Sequence, residues 1–316
     1  MIKYYEKIGE QLSAKENLEQ SVWINVESDT PSAELEELAT RLEIPLDFIT
    51  DSLDINERSR YEREDDDLLI LINTPFLNDS GNESEAIYIT IPIGIVMTKN
   101  HIVTISPRQN PVLNKFLEGR VKNFNPQDRK LFVLQILEEN VKGFLESLNK
   151  LNLRRNLIEQ ELYNSSRNAE LQQLLRIEKS LVYFVTALST NELLKMKMKR
   201  SDILRVRDLE FHSDLFEDLI IDNSQALEMS NVYTNILGGT MEAYASIVSN
   251  NLNVFIQRLT IITIILMVPT LVASFYGMNL KHLPFDDSPL AFPSIILISL
   301  ILGMLLMWFF VRKRKV

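Results

Sequence analysis

Two long segments near the carboxyl end of the chain contain no charged residue. They cover residues 259–280 and 288–311, and only residues 281–287 separate them. At 1.5 Å of rise per residue, either segment is long enough as a helix to cross a bilayer core of about 30 Å. Because both runs are so apolar, we favour a hairpin of two membrane-spanning helices over two buried helices of a soluble core.

The first 125 residues follow a different pattern, in which short apolar runs alternate with amphipathic stretches. Runs rich in Val, Ile and Leu predict β-strands at 22–26, 68–72, 86–91 and 102–105. Segments with helical spacing predict short helices at 32–41, 46–53 and 110–117. The sequence therefore predicts an α/β domain over residues 1–125.

Residues 127–268 contain no proline, although the chain has 11. Such a stretch, rich in Leu, Glu, Lys and Asn, predicts helix throughout. We expect a helical hairpin over 126–200, with a turn near Asn164 and a second helix that reaches about Thr190. A stalk helix (201–258) would then begin near Ser201, with Asp202 in its first turn, and continue into the first span.

A single helix from about residue 201 to about residue 280 would be roughly 120 Å long. A helix of that length is not stable alone in water, so it must pack against its neighbours or against copies of itself. The sequence therefore predicts a homo-oligomer. Its fold class is an α+β amino-terminal domain followed by long helices and a two-helix transmembrane hairpin.

The distribution of basic residues orients the hairpin. Residues 312–315, directly after the second span, are all Lys or Arg. The positive-inside rule places this tail (312–316) in the cytoplasm, and the hairpin returns the amino-terminal 258 residues to the same side. The first residues lack the apolar core of a signal peptide. We expect both termini in the cytoplasm, 281–287 as an external loop, and the chain in the plasma (inner) membrane.

Composition excludes several kinds of site and partner. The net charge is −10, and residues 1–100 carry 8 basic and 22 acidic side chains, which argues against nucleic acid as a partner. The absence of cysteine excludes disulfides and thiolate metal sites. With 9 glycines and 3 histidines, the chain shows no phosphate-binding loop and no histidine cluster. An enzyme is the least expected class, and no organic cofactor is indicated.

Hydroxyl side chains in the first span recur at intervals of 3, 7 and 4, which place them on one helical face. The face continues through a methionine and back toward the amino end. Its members are Asn253, Ile256, Thr260, Thr263, Met267, Thr270 and Ser274. This polar stripe is either a close contact between helices, where Ser and Thr are common, or the wall of a pore built by several copies. The long preceding helix favours the pore, and the second span, which has no such row, is expected to face lipid.

The first span ends in Tyr276-Gly-Met-Asn279 and is followed by a short loop and a second span. This motif in this position resembles the CorA family of magnesium transporters. Further similarity lies in Val-Trp-Ile-Asn at 22–25 and Met-Val-Pro at 267–269. Residues 58–72 resemble the family's Arg-Pro-Lys segment and following strand, although Ser59 and Arg60 stand in place of Pro and Lys. The resemblance covers the whole chain and is firmest from about 245 to 316.

The resemblance implies a funnel-shaped homopentamer whose central pore is lined by the first span. Asn279 would line the outer entrance, where Gly277 permits the turn and Tyr276 and Met278 hold the motif. In the loop, Asp286 and Asp287 would attract cations to the mouth, or are ordinary loop charges.

The resemblance also assigns residues deeper in the pore. Met267 and Leu259 would form an apolar constriction that closes the pore by excluding water. Asn253 would form an inner polar ring. Thr270, in the same row as Thr263 and Ser274, would form a hydroxyl ring between that inner ring and the outer entrance.

The chemistry of the row suits Mg²⁺, which sheds its water reluctantly and prefers octahedral oxygen ligands. Neutral oxygens can contact the hydrated ion without trapping it, whereas a carboxylate ring would release it slowly. We expect a Mg²⁺ channel driven by the membrane potential, with Co²⁺ and Ni²⁺ as further ions. The alternatives are a proton-coupled transporter of another divalent metal such as zinc, and a membrane-anchored sensor that does not conduct.

Four acidic residues lie on one face of the stalk helix at relative positions 0, 3, 4 and 8. They are Asp214, Glu217, Asp218 and Asp222. They form either a solvated face or a site that cations bridge. The resemblance implies that Asp218 belongs to a regulatory Mg²⁺ site between subunits. Asp79 of a neighbouring subunit is the candidate partner, with Asp65, Asp66 and Asp67 as alternatives, and cytosolic Mg²⁺ would hold the closed state.

Overall fold

The computed structural model describes residues 1–8, 11–27, 30–82, 84–164, 168–278 and 290–313. The chain separates into two compact units, Met1–Met241 and Glu242–Val316. We call them the amino-terminal and the carboxyl-terminal unit.

The amino-terminal unit is built on one mixed sheet of seven strands. The strands are β1 (Ile2–Ile8), β2 (Gln11–Lys15), β3 (Trp23–Glu27), β4 (Arg60–Glu64), β5 (Asp67–Leu77), β6 (Tyr88–Met97) and β7 (Ile102–Ser106). Their order is β2-β1-β3-β7-β6-β5-β4, and β3 pairs with β7 in parallel whereas the other neighbours are antiparallel. All four predicted strands are present.

The sequence pattern did not predict β1, β2 and β4. Charged side chains interrupt these three short segments, Ile-Lys-Tyr-Tyr-Glu-Lys-Ile in the case of β1. The two that end the sheet, β2 and β4, each pair with one neighbour, as edge strands do. Lys and Glu are typical of such edges because they hinder pairing with other chains. Backbone pairing with a neighbour, rather than side-chain pattern, defines these strands.

Helices cover both faces of the sheet because alternate strand residues point to opposite sides. Ile24, Leu69 and Val103 pack on one side against α1 (Ser32–Leu42) and α2 (Leu46–Leu53). Trp23, Ile70 and Ile102 pack on the other side against α3 (Pro111–Leu117) and the longer helices. The predicted α/β organisation and its three short helices are confirmed by these elements.

Two long helices, α4 (Arg129–Asn164) and α5 (Asn168–Ser201), follow the sheet. The next helix, α6, runs from Glu210 to Tyr276 and passes through both units. The prediction placed the end of α5 near residue 190 and the start of α6 near residue 201, and both positions were wrong.

The connection between α5 and α6 explains this error. Asp202 and Arg205 have left-handed φ angles of 47° and 49°, which end a helix. The Asp202 carboxylate accepts a hydrogen bond from the amide of Val206 at 3.0 Å, and Val206 begins a short 3₁₀ turn (Val206–Asp208) rather than α6. Leu204 and Val206 are buried in the core. Tertiary packing, which the local pattern does not report, therefore breaks the helix here.

The carboxyl-terminal unit contains the remainder of α6 and a second apolar helix, α7 (Ala291–Lys313). Both helices are long and apolar enough to cross a membrane, α7 over Phe292–Phe310. No residue in the apolar window of α6 is buried. The two predicted spans therefore correspond to helices, while the predicted loop at 281–287 lies outside the described residues.

Candidate ion pathway

The polar stripe of α6 lies on an uncovered face of the helix. All seven of its side chains are exposed in the single chain. At 100° per residue, they fall within one sector of the helix wheel. The row that the sequence predicts is therefore available to line a pathway.

The threonine hydroxyls of the stripe are bonded to their own helix. Thr260 donates to the carbonyl of Ile256, Thr263 to that of Leu259 and Thr270 to that of Leu266, at 2.9 to 3.0 Å. A hydroxyl that donates its hydrogen in this way keeps its oxygen lone pairs free to accept. The stripe thus presents acceptor oxygens, which suit a cation or its water shell.

A different face of α6 packs on α7. Ile261, Ile265, Val268 and Val272 are half-buried, and their spacing of 4, 3 and 4 defines a face roughly 140° from the stripe. On α7, Gly303 is buried, and a Cβ placed on it would lie 3.8 Å from both the carbonyl oxygen and Cγ2 of Ile265. The second span therefore covers one side of α6 and leaves the stripe open.

The two residues of the expected apolar constriction are both exposed. Met267 lies within the stripe and is 64% exposed, and Leu259 lies about 70° from the stripe's centre and is 54% exposed. Pro269 follows Met267 by two residues inside the helix. Because proline has no amide hydrogen, the carbonyl of Ile265 loses its helical donor near the constriction.

The Tyr-Gly-Met-Asn motif is described only in part. α6 ends at Tyr276, and the amide of Gly277 donates to the carbonyl of Ala273 at 2.9 Å. Gly277 lies in the turn that follows α6, and its φ angle is not left-handed. Met278 is 49% exposed. Asn279, Asp286 and Asp287 lie outside the described residues.

The acidic row of α6 is partly compensated within its own unit. Glu217 pairs with Lys199 of α5 at 3.1 Å. The negative charge of Asp222 favours the charged form of Lys195, also on α5, and so partly opposes the lowering of its pKa by burial. Asp214 and Asp218 are exposed and form no ion pair with any described residue. The row therefore divides into two acids that are tied to α5 and two that are available.

Asp79, the candidate partner acid, is exposed and lies two residues after the end of β5. The alternatives, Asp65 and Asp66, form the turn between β4 and β5, and Asp67 begins β5. Burial, followed by repulsion from Asp66, Asp65 and Glu43, raises the pKa of Asp67. Among the described residues of one chain, no three acidic or histidine side chains are grouped to hold a metal.

A buried lysine between α5 and α6 was not foreseen from the sequence. Lys195 is fully buried, and its Nζ donates to Oδ1 of Asn223 at 2.7 Å. Asn223 in turn donates to the carbonyl of Leu188 at 3.0 Å. Burial lowers the pKa of Lys195 to about 7, partly opposed by Glu192 and Asp222. Its spacing of 7 and 3 from Leu188 and Met198, two apolar residues, was the signal available in the sequence.

Two segments of the family resemblance have structural roles here. In residues 22–25, Trp23 donates to Oγ1 of Thr104 at 2.8 Å, and Thr104 donates to Oδ1 of Asn25 at 2.8 Å. In residues 58–72, Ser59 stands where the family's Arg-Pro-Lys segment has proline, and its hydroxyl donates to Oδ1 of Asn191 at 2.6 Å. These contacts tie strands together and join the sheet edge to α5.

Comparisons with known proteins agree with this architecture. A family model described as CorA-like Mg²⁺ transporter protein matches residues 19–314. The chain is 26% identical over 299 residues to the cobalt/magnesium transport protein CorA of Methanocaldococcus jannaschii, covering 92% of this chain and 90% of that protein. It is 20% identical over 272 residues to the protein of the same description from Thermotoga maritima, covering 84% and 75%.

The fold is also that of a solved structure. The complete structure of the CorA magnesium transporter from Methanocaldococcus jannaschii superposes with a TM-score of 0.79 at 22% identity, covering 99% of this chain and 98% of that one. The predicted fold class is confirmed by this match.

Proposed function

Since the chain belongs to the CorA-like Mg²⁺ transporter family, we propose that it is a channel that carries partly hydrated Mg²⁺ across a membrane through a pore lined by α6. The observation that carries the proposal is the polar stripe, which is exposed along its whole length and presents acceptor oxygens. An exposed polar face in the middle of an apolar span is unfavourable against lipid, so it requires a wet or protein-lined environment.

Several copies of α6 are needed to enclose such a pore. We propose a homopentamer in which each α7 lies outside its own α6, because the packed face of α6 is roughly 140° from the stripe. The number five comes from the family resemblance. The mass of the detergent-solubilised complex, measured by light scattering with the detergent contribution subtracted, tests it, and a monomer would contradict the shared pore.

The proposed pathway places Asn279, with Tyr276, Gly277 and Met278, at the outer entrance and Asn253 at the inner end. Asp286 and Asp287 would concentrate cations near the entrance. Between these ends, the stripe would contact the ion through its water shell, because Mg²⁺ exchanges water reluctantly. Met267 and Leu259 would close the pore by excluding water when the copies of α6 approach each other.

The membrane potential would drive entry of the ion. The side that holds both termini is the cytoplasm, where the potential is negative. A divalent cation that moves to this side gains roughly 4.6 kcal/mol per 100 mV, twice the value for one charge. Co²⁺ and Ni²⁺ would pass by the same route.

Mg²⁺ flux into liposomes tests the proposal most directly. We expect flux under a negative-inside potential and low internal Mg²⁺, and its loss in Asn279→Ala. Asn253→Ala should also reduce flux, whereas Asn251→Ala should not. Asn251 is an exposed asparagine of the same helix but lies roughly 160° from Asn253 around its axis.

The outcomes of this experiment separate the alternatives. Flux of Zn²⁺ that depends on a proton gradient, without Mg²⁺ flux, would instead indicate a proton-coupled zinc transporter. Absence of flux for every divalent ion would indicate a sensor that does not conduct.

We further propose that cytosolic Mg²⁺ regulates the channel through Asp218, with Asp214, Asp222 and a neighbouring subunit's Asp79 as the other candidate ligands. Asp214 and Asp218 suit this role because they are exposed and unpaired among the described residues. Mg²⁺ would bind the closed assembly preferentially and thereby stabilise it.

Protection from proteolysis tests the regulatory site. Mg²⁺ should slow digestion of the wild type, and Asp218→Asn should raise the Mg²⁺ concentration needed for protection. Glu217→Gln is the matched control because Glu217 already pairs with Lys199. Equal protection of wild type and Asp218→Asn would remove Asp218 from the site.

A further inference from the structure

A cavity of about 370 Å³ in the amino-terminal unit is lined by an unusual number of basic side chains. It lies where the start of α4, the α5–α6 connection and the turns after β4 and β6 meet. Its charged lining residues are Arg63, Lys99, Arg129, Lys130 and Arg205, with Asp66 as the single acid. We call it the basic cavity.

The concentration of positive charge is unexpected in this part of the chain. Residues 1–100 carry 8 basic and 22 acidic side chains, yet two of those eight basic residues line this cavity. Five basic residues against one acid leave an excess of four positive charges. Like charges that face one space repel each other unless an anion lies between them.

The basic residues of the cavity are poorly compensated by the protein. Lys130 pairs with Asp208 at 3.2 Å, but the other four form no ion pair within the described part of the chain. Arg129 instead donates to the carbonyl of Thr98, and Arg63 donates to that of Asp65 at 3.3 Å. Elsewhere in the unit, Arg60 and Lys115 each contact two or more carboxylates.

The donors that remain suit phosphate. Each arginine has five N–H donors in a planar fork that matches a phosphate group, and those of Arg63 and Arg129 are used only in part. The side chains of Lys99 and Arg205 are exposed and donate no hydrogen bond to a described residue. The cavity also lies beside the amino end of α4, where the helix dipole favours an anion.

We propose that the basic cavity binds a soluble anion with two or more phosphate groups. A soluble ligand is favoured over a lipid headgroup because none of the residues that line the cavity comes from α7 or from the apolar part of α6. Two phosphates match the spread of donors over four chain segments better than one. This proposal is independent of the ion pathway.

Binding would link the segment that precedes α6 to the rest of the unit. Arg205, Leu204 and Ile203 come from the α5–α6 connection, whereas Arg129 begins α4 and Lys99 lies in the β6–β7 turn. A ligand that joins these segments stabilises their native arrangement and raises the thermal midpoint of the unit.

Isothermal titration calorimetry of the full chain in neutral detergent tests the proposal, with sodium pyrophosphate as the probe. The buffer is free of Mg²⁺ and of chelators, because Mg²⁺ complexes pyrophosphate and chelators are themselves polyanions. We expect saturable binding, tighter than that of inorganic phosphate, and a higher thermal midpoint. Lys99→Gln/Arg205→Asn should weaken binding by about tenfold or more, the equivalent of about 1.4 kcal/mol or more, because both substitutions remove a positive charge and its donors.

The matched control is Lys122→Gln/Lys150→Gln, which removes two exposed positive charges that do not line the cavity. It should bind as the wild type does. Asparagine is used at position 205 because the left-handed φ angle there tolerates it. Should the double variant misfold by circular dichroism, Lys99→Gln alone serves as the test.

Three results would overturn the proposal. They are no saturable binding at millimolar pyrophosphate, equal weakening in the control variant, and a thermal midpoint that rises with added phosphatidylglycerol but not with pyrophosphate. The last result would identify a lipid headgroup site instead.

Discussion

The two units place their large apolar side chains in opposite environments. In the amino-terminal unit, Trp23, Phe116 and Phe132 have no exposed surface, and the ring of Phe132 contacts the other two. In the carboxyl-terminal unit, Met267 is 64% exposed and Phe292 is 75% exposed. The first unit buries its apolar surface within one chain, whereas the second exposes surface that only lipid or other chains can cover.

Polar groups show the same contrast. Asn140 and Asn191 of the amino-terminal unit are fully buried, and both donate to the carbonyl of Asn73 at 2.9 Å. The threonine hydroxyls of the polar stripe donate hydrogen bonds to backbone carbonyls of the preceding helical turn, and these residues are exposed. We therefore expect stability to reside mainly in the first unit, whereas the proposed ion pathway uses side chains of the second. The following substitutions test that division, from the largest effect to the smallest.

Trp23→Ala should have the largest effect, because it removes a fully buried ring and the hydrogen bond to Thr104. We expect the amino-terminal unit to lose about 3–5 kcal/mol of stability. Calorimetric melting of the full chain in detergent measures it. Ile55→Ala, at a side chain that is 43% exposed, should change stability by less than about 0.5 kcal/mol. Similar losses for both would show that the core is not closely packed around Trp23.

Adding one methyl group to a glycine in each unit compares their packing directly. A Cβ on Gly94 in β6 would lie 1.8 Å from Oγ of Ser52, which is buried and bonded to the carbonyl of Phe48. A Cβ on Gly303 would make only ordinary contacts at 3.8 Å. Gly94→Ala should therefore destabilise by about 1–3 kcal/mol, and Gly303→Ala by much less.

Thermal melting and Mg²⁺ flux of both glycine variants check this comparison. Gly303→Ala should retain flux. A loss of flux in Gly303→Ala with unchanged melting would show that α7 packs on α6 more closely than the distances indicate.

Lys195 should make the stability of the amino-terminal unit depend on pH. Its pKa is about 7 in the folded chain against an ordinary 10.5, so between these values the unfolded chain binds more protons. Stability should therefore rise with pH from about 7 to 10.5, by up to about 1.4 kcal/mol per pH unit, and be lowest below pH 7. Lys195→Met, which keeps an unbranched chain in the buried site, should remove this rise.

The measurement is the difference in thermal midpoint between wild type and Lys195→Met over pH 6 to 10, a range set by the two pKa values. The difference cancels the contributions of other groups. A difference that does not change with pH would mean that Lys195 is protonated to the same extent in both states.

Removing one hydroxyl from the stripe should have the smallest effect. Thr263→Val keeps the shape of the side chain but removes its oxygen, and we expect Mg²⁺ flux to fall about fivefold, the equivalent of about 1 kcal/mol. Ser294→Ala on α7 is the matched control, since Ser294 is also exposed and donates to its own helix, at 2.7 Å to the carbonyl of Leu290. An equal fall in both variants would argue against a special role of the stripe.

The sequence alone determined the features that depend on neighbours along the chain. The two apolar spans, the spacing that puts Thr263, Thr270 and Ser274 on one face, and the four apolar strands are visible because hydropathy and periodicity are local properties. The Tyr-Gly-Met-Asn motif was likewise readable without a structure. The roles of the site residues, from Asn253 to Asn279, stay predictions.

Only the tertiary structure decided the features that depend on residues distant in sequence. β1 and β4 exist through pairing with other strands, and the helix break at Asp202 exists because Leu204 and Val206 enter the core. The contact of Lys195 with Asn223 spans 28 residues. The basic cavity brings together residues from 63 to 205. Such groupings arise when the chain folds back on itself, so no local pattern of charge or hydropathy reports them.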